Sequence, residues 1–406
     1  MALDIQGTDY LKLPVGTTAQ RPAAPTTGMT RMNSTTGVPE WYDTVSGTWI
    51  QLINTLNSFG FKNRIINGEM QIDQRNAGAA VTRTASGYSL DRWAVGLSQA
   101  SKLTFQQSTD APAGAKNSLK VTVSSQYSPI STDVFGVYQG IEGFNISDLQ
   151  WGTAGALTIT TSYQVKSSVT GTFSVSINNG ATNRSYIATY TISSANTWTP
   201  VVLTISGDQT GTWATDNTSG IWLIFDLGYG SNFNTTAGSW ISGNYRNTSG
   251  SVKFVNQTAG ATWQLAQVQL EVGSVATSFD VRDYGRELMM CQRYYEKSYN
   301  YNVIPGSVEY SAGTTAMLNN TNASTNGYCS ATSVFKVQKR TSPTMRCWDF
   351  AGNLSKITTY SFGGLARTDG WSIIYSFNSS ETNAWMIVNQ PASTFGAYQW
   401  DATAEL

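Results

Sequence analysis

The sequence predicts a mainly β protein: a small N-terminal β meander, a β-sandwich, one short helix and a C-terminal β-rich domain. Three observations carry that expectation. Short apolar or alternating runs punctuated by Gly, Asn and Ser recur along most of the 406 residues, the pattern of many short strands joined by turns. A single stretch, from Asp283 to Lys297, switches to helical spacing. Near the start, Pro14, Pro22 and Pro25 fall within a Thr- and Gly-rich segment that reads as extended chain and not as a helix.

The elements follow in order. After the proline segment, Gly28-Met-Thr-Arg-Met-Asn33, a turn around Thr36-Gly37, Glu40-Trp-Tyr-Asp43 and Thr48-Trp-Ile-Gln-Leu52 predict a meander. Such a unit is small for an independent domain, and residues 1–55 are read as one N-terminal element. Residues 56–282 are read as the sandwich. Its strands are Lys102–Phe105, Ser118–Val123, Ala156–Thr160, Phe173–Ile177, Val201–Ile205 and Ile221–Phe225. In Ala156-Leu-Thr-Ile-Thr160 the apolar residues alternate, as in a sheet with one face on a core. Ile221-Trp-Leu-Ile-Phe225 is apolar throughout and predicts a central strand.

Gln267, Gln269 and Glu271 alternate with Val268, Leu270 and Val272, and then Tyr284, Leu288, Cys291 and Tyr295 recur at helical spacing behind an Asp283 N-cap. The predicted helix over 283–297 separates the sandwich from residues 298–406 as a rigid spacer. In that last region Ser333–Gln338, Trp371–Phe377 and Ala384–Val388 are expected strands, with Asn378–Asn383 connecting the last two as a hairpin.

Composition narrows the chemistry. Twenty-five Lys and Arg balance 25 Asp and Glu, only 12% of residues are charged, and no basic stripe stands out. A phosphate-binding surface therefore has no support, and no nucleic-acid partner is expected. There is no histidine, which excludes Ser-His-Asp and Cys-His catalysis within the chain and removes the usual zinc ligand. Cys291, Cys329 and Cys347 lack CxxC spacing and are expected to be reduced structural thiols. No apolar run is long enough for a membrane span, and Met1 to Asp9 has no signal-peptide character, so synthesis in a cytosol is expected. No EF-hand or phosphate-loop spacing is present, and no cofactor or metal is expected.

Paired carboxylates could cleave glycosides without histidine. Asp208, Asp216 and Asp226 share a neighbourhood of the sequence, but Asp226 sits in Phe-Asp-Leu-Gly, where a turn role is expected. No catalytic residue is assigned. Sugar binding instead asks for aromatic faces and planar polar groups, and the chain has 13 Trp and 20 Tyr. Trp240 and Tyr245, with Asn244 and Arg246 nearby, lie in a Gly/Ser-rich stretch suited to a sandwich rim. In the C-terminal region, Asn322 and Asn326 in the Asn-rich loop 319–326, the loop 378–383, and Trp371 or Trp385 beside them form the first-choice binding set. Trp93, after Asp91-Arg92, is expected to be a buried anchor with a local ion pair.

The join Gln267–Lys297, together with Tyr88-Ser-Leu-Asp-Arg-Trp93 and Phe225-Asp-Leu-Gly-Tyr-Gly-Ser-Asn-Phe233, resembles the jelly-roll domains of bacteriophage tail-fibre and receptor-binding proteins. The run Pro14–Trp49 resembles a module near the ends of phage tail and fibre proteins, and Arg340–Thr344 with Gly396–Leu406 resembles fibre C-terminal domains. The resemblance implies a jelly-roll sandwich, a homotrimer with threefold contacts from the helix and C-terminal domain, and attachment to phage tail or adaptor proteins through residues 1–55. It also implies synthesis in the host bacterial cytoplasm, a place on the virion as a tail appendage, and weak multivalent binding of a bacterial surface glycan without membrane insertion. Two alternatives stand beside it: a purely structural virion component such as a collar, head fibre or adaptor, and a glycan-degrading tailspike.

Overall fold

The computed structural model describes residues 12–51, 62–310, 315–316, 325–362, 366–371 and 374–406. The chain divides into two compact units, Met1–Lys62 and Asn63–Leu406. The first contains the expected meander: strands Val15–Gly16, Thr30–Asn33, Val38–Asp43 and Thr48–Gln51 in one sheet, with the first pair parallel and the others antiparallel. It has little apolar material to bury. Its centre is the fully buried Glu40, which accepts from Arg21 Nη2 at 2.7 Å and Asn33 Nδ2 at 2.9 Å. The Arg21 hydrogen bond is the main influence holding that carboxyl below its ordinary range.

The second unit opens with the sandwich. One sheet has seven strands in the order Trp240–Ser242, Arg184–Ile192, Gly171–Asn179, Ser219–Asp226, Phe135–Glu142, Trp93–Leu97, Gly87–Leu90. The facing sheet has six, in the order Thr199–Ile205, Ile159–Ser167, Thr262–Val272, Ser118–Val123, Leu103–Ser108, Val81–Thr82. All neighbours are antiparallel, and the chain crosses repeatedly between the sheets, as a jelly-roll-like sandwich requires. Alternate residues of both sheets meet in one core. At its middle Phe225 touches Trp93, Tyr163 and Trp263 with ring centroids 6.3, 5.1 and 5.8 Å away. Ser219–Asp226 lies between two other strands, the central position its apolar run predicts.

The C-terminal region forms two smaller sheets. Thr394–Thr403 is the hub of one, pairing with Tyr295–Lys297, Thr315–Ala316, Thr344–Trp348 and Ile357–Ser361; Arg367–Trp371 continues it beyond Ile357–Ser361. The other orders Gly327–Val334, Asn383–Gln390 and Ile374–Ser379, and the predicted hairpin connects the last two.

Several expectations need correction. The α-helix covers Tyr284–Gln292, capped by Asp283, whose side chain accepts from the Arg286 amide. It does not reach 297, because Tyr295–Lys297 are recruited as a strand beside Thr403, Ala402 and Asp401. Nor is the helix a spacer, since the C-terminal region bonds to the sandwich directly. Arg293 pairs with Glu142 and the Tyr294 hydroxyl donates to it at 2.7 Å. Glu405 receives both Arg75 and Arg92, and Arg340 donates to the Asn217 carbonyl at 2.8 Å. Strand Gly327–Val334 ends before Phe335, and strand Ile159–Ser167 begins after the Ala156–Thr158 half of its predicted alternation.

Trp93 is the buried anchor expected, with its indole N–H donating to the Asn67 carbonyl at 2.9 Å. The ion pair is not local, however. Arg92 has a left-handed φ of 68°, and it pairs with Glu405 while its guanidinium stacks 3.5 Å over Tyr294. Asp91 instead accepts from the Gln74 amide and side chain at 2.6 and 2.7 Å. All three cysteines are free and buried.

Candidate functional site

A groove of about 420 Å³ lies on the outward face of the seven-stranded sheet. Its lining includes Tyr138, Trp222, Tyr229, Phe233, Asn244 and Arg246. The cause is local sequence. In Phe135-Gly-Val-Tyr-Gln-Gly-Ile141 the odd positions Phe135, Val137 and Ile141 join the core, so Gly136, Tyr138 and Gly140 face outward. A Cβ on Gly136 would sit 2.6 Å from the Tyr229 ring, and one on Gly140 2.7 Å from the Trp222 ring. Those two glycines are what let large rings lie close on the sheet.

Register then gathers the rings. Gly140 stands opposite Trp222 and Tyr138 opposite Ile224, and Tyr138 meets Trp222 edge-on at 5.6 Å. Asp226 ends the strand: its Oδ1 accepts from the Gly228 and Tyr229 amides, both at 2.7 Å, the turn role predicted for it. Gly228 has a φ of 147°, and a Cβ there would strike Val255. The turn sends Tyr229 back over Gly136, where it meets Phe233 edge-on at 5.3 Å. The Phe233 carbonyl in turn accepts from the Arg246 amide at 2.9 Å, which fixes the loop carrying Asn244 and Arg246 beside the rings.

Asn244 is exposed, whereas Arg246 is 7% exposed. Burial pushes its guanidinium below the ordinary value, opposed by the nearby phenols of Tyr229 and Tyr138. Burial likewise raises both phenols, while Arg246 acts against the rise. The site is an aromatic cleft with one cation and one amide at its margin, suited to holding the faces of rings and a few polar substituents.

The other predicted residues are placed differently. Trp240 belongs to an aromatic cluster at the sheet's far edge, within 5.4 Å of Trp151, Tyr186 and Trp213, and its indole N–H donates to the Ser206 carbonyl at 2.8 Å. Tyr245 is half-buried with its ring against Gly243. Asp208 pairs with Arg184 at 2.7 Å, and Asp216 accepts from Thr218 at 2.6 and 2.9 Å. All three weighed carboxylates thus have structural partners.

In the C-terminal region Asn322 lies outside the described residues, and Asn326 is exposed. Trp371 is half-buried on the second core and donates to the Asn389 carbonyl at 2.5 Å. Trp385 is 38% exposed. Register sets Gly327 against Gln390 but Trp385 against Thr332 and Asn378. Asn326, one residue before that strand, and Trp385 are therefore near opposite ends of this sheet, roughly 20 Å apart along six residues. The 378–383 hairpin spends part of its polar inventory on itself: the Ser380 amide donates to the Asn383 carbonyl at 2.8 Å and the Asn383 amide to Ser380 Oγ at 3.2 Å.

Sequence reasoning missed Tyr138 and Trp222. The available signal was the Gly-x-Tyr-x-Gly spacing of 136–140, a set of outward positions kept small around one ring. Tyr229 and Phe233 were present in the 225–233 motif without an assigned task.

No protein-family model and no curated protein matches the chain. Solved structures do. The enzymatically active domain of bacteriophage CBA120 tailspike protein 4 aligns at 12% identity and TM-score 0.30, over 52% of this chain and 21% of that one. A CBM4 module aligns at 14% identity and TM-score 0.26, over 51% and 98%. The CBM22-1 xylan-binding domain from Paenibacillus barcinonensis aligns at 12% and 0.25, over 50% and 99%. The matched part spans about half of this chain and a fifth of the tailspike domain, and likeness of this size assigns no activity.

Proposed function

We propose that this protein binds glycans through the groove on the outward face of the sandwich, without cleaving them, and that it serves as a receptor-binding protein of a phage tail fibre. The observation that carries the binding reading is the ring arrangement on glycine: Tyr138 and Trp222 are half-exposed in the cleft, with Trp222 seated over Gly140 and Tyr229 over Gly136. Sugar rings present C–H faces to such aromatics and hydroxyls to groups such as Asn244. The virion role rests on the sequence resemblance, as do a homotrimeric state, a tail-side attachment through residues 1–55, and a place on the tail appendage.

Weak binding per site is expected from a shallow cleft, raised by several copies acting on one surface. The test is an array of bacterial surface polysaccharides probed with purified protein, with reducing ends measured in parallel. The reading expects retention on some members, no release of reducing ends, and loss of retention for Tyr138→Ala. Reducing-end release would move the assignment to a depolymerising spike, and native mass spectrometry showing a stable folded monomer would remove the trimer.

A further inference from the structure

We propose that the groove selects anionic sugars, with Arg246 as the residue that pairs with a carboxylate on the bound glycan; this rests on the glycan reading above and narrows its ligand class. Arg31, Arg64 and Arg92 are each at most 7% exposed, and each has a carboxylate: Glu40 at 3.5 Å, Asp148 at 2.6 Å, and Glu405. Arg246 is equally buried and has none among the described residues. Its side chain makes no ion pair or hydrogen bond among the described residues, and its Nη1 is buried without an acceptor.

Unpaired burial of a guanidinium is costly, because it gives up hydration without recovering it from a partner. The group cannot escape by losing its proton at ordinary pH. The nearby fixed groups do not help. Asp226 gives its Oδ1 to the Gly228 and Tyr229 amides, and its Oδ2 is buried without a hydrogen-bond partner but forms no ion pair with Arg246; Lys253, another cation, donates to the Tyr229 carbonyl at 2.6 Å. What remains open to Arg246 is the groove it lines. A planar fork of donors matches a carboxylate in a bidentate pair, and the rings of Tyr138 and Trp222 supply the apolar faces a sugar ring stacks on. A carboxylate carried by a sugar ring, as in a uronic acid, satisfies both features together.

The experiment prints each bacterial surface polysaccharide of the array twice, native and with its carboxyl groups reduced to alcohols. The wild-type protein should hold uronic-acid members and lose them on reduction. Arg246→Met should bind those members on the order of 10- to 100-fold more weakly, Arg246→Lys should fall between, and the melting temperature of Arg246→Met should be unchanged or higher, since no internal partner is lost. Binding that survives carboxyl reduction, or an Arg246→Met protein that binds like wild type, overturns the inference and leaves the glycan reading intact. So does a preference for phosphate-bearing members that lack carboxylates. A marked drop in the melting temperature of Arg246→Met makes the residue structural and overturns it as well. Retention on no member, native or reduced, overturns both readings.

Discussion

The outward face of the sandwich and the C-terminal sheets are both rich in aromatic residues, yet they use them in opposite ways. In the C-terminal region Phe335, Tyr398 and Trp400 are buried, and their polar atoms are taken: Trp400 Nε1 donates to Thr315 Oγ1 at 3.0 Å and the Tyr398 hydroxyl meets Ser333 at 3.2 Å. On the sandwich face, Tyr138 and Trp222 stand half-open over glycine, beside a cation whose side chain has no ion-pair or hydrogen-bond partner among the described residues. Aromatic abundance therefore does not locate a site. Unfilled space and unspent hydrogen-bonding capacity do.

The comparison can be broken first through stability. Trp400→Ala should cost ~3–5 kcal/mol, the range for truncating a large buried aromatic, as measured by denaturant titration, while the folded fraction binds glycan as before. A loss of that size from Trp222→Ala would mean that the sandwich face is packing and not a site. Glu405→Gln should also destabilise, by about 3 kcal/mol, because it leaves Arg75 and Arg92 beside a neutral group in a buried seam. A negligible change would show that the C-terminal region is not clamped to the sandwich through these charges.

A pH experiment sharpens the account of that seam. Burial pushes the Asp91 carboxyl up to about 7, above its value in the unfolded chain. The folded protein therefore holds this proton more tightly, so the contribution of Asp91 is most favourable below pH ~4 and is lost as pH rises toward about 7. Its size is on the order of 4 kcal/mol for a shift of this extent. Carboxylates held low, such as Glu40 and Asp110 beside Arg21 and Lys166, act with the opposite sign. The difference between wild type and Asp91→Asn isolates the effect: the wild-type melting temperature should fall more steeply between pH 4 and 7. Parallel profiles would contradict it. At the small end, Asn326→Ala should change stability by less than about 0.5 kcal/mol, as for exposed loop positions, and should leave glycan retention unaltered.

Much of the architecture was legible because it is written in local runs. Ser118–Val123 and Ala384–Val388 lie within strands whose alternating or continuous apolar residues leave few options. Asp226 announced its turn through the glycine two positions on. The end of the helix was not legible, since Tyr295 continues the helical spacing and only pairing with Thr403 removes it. Strand Thr394–Thr403 escaped notice because Gly396, Gln399 and Asp401 interrupt its apolar pattern, although all three are buried by neighbours from distant sequence. The groove was hidden for the same reason. Tyr138, Trp222 and Arg246 come together through register and a turn, and the lack of a carboxylate paired with Arg246 among the described residues is a property of the fold and not of any window of sequence.

The central claim is that the sandwich groove, and not the C-terminal sheet, holds the glycan. Its most direct test is to measure retention on the same polysaccharide array for two tryptophan variants, Trp222→Ala and Trp385→Ala, each confirmed folded by its melting curve. The account predicts that Trp222→Ala loses retention and Trp385→Ala binds as wild type does. Retention kept by Trp222→Ala and lost by Trp385→Ala would contradict it.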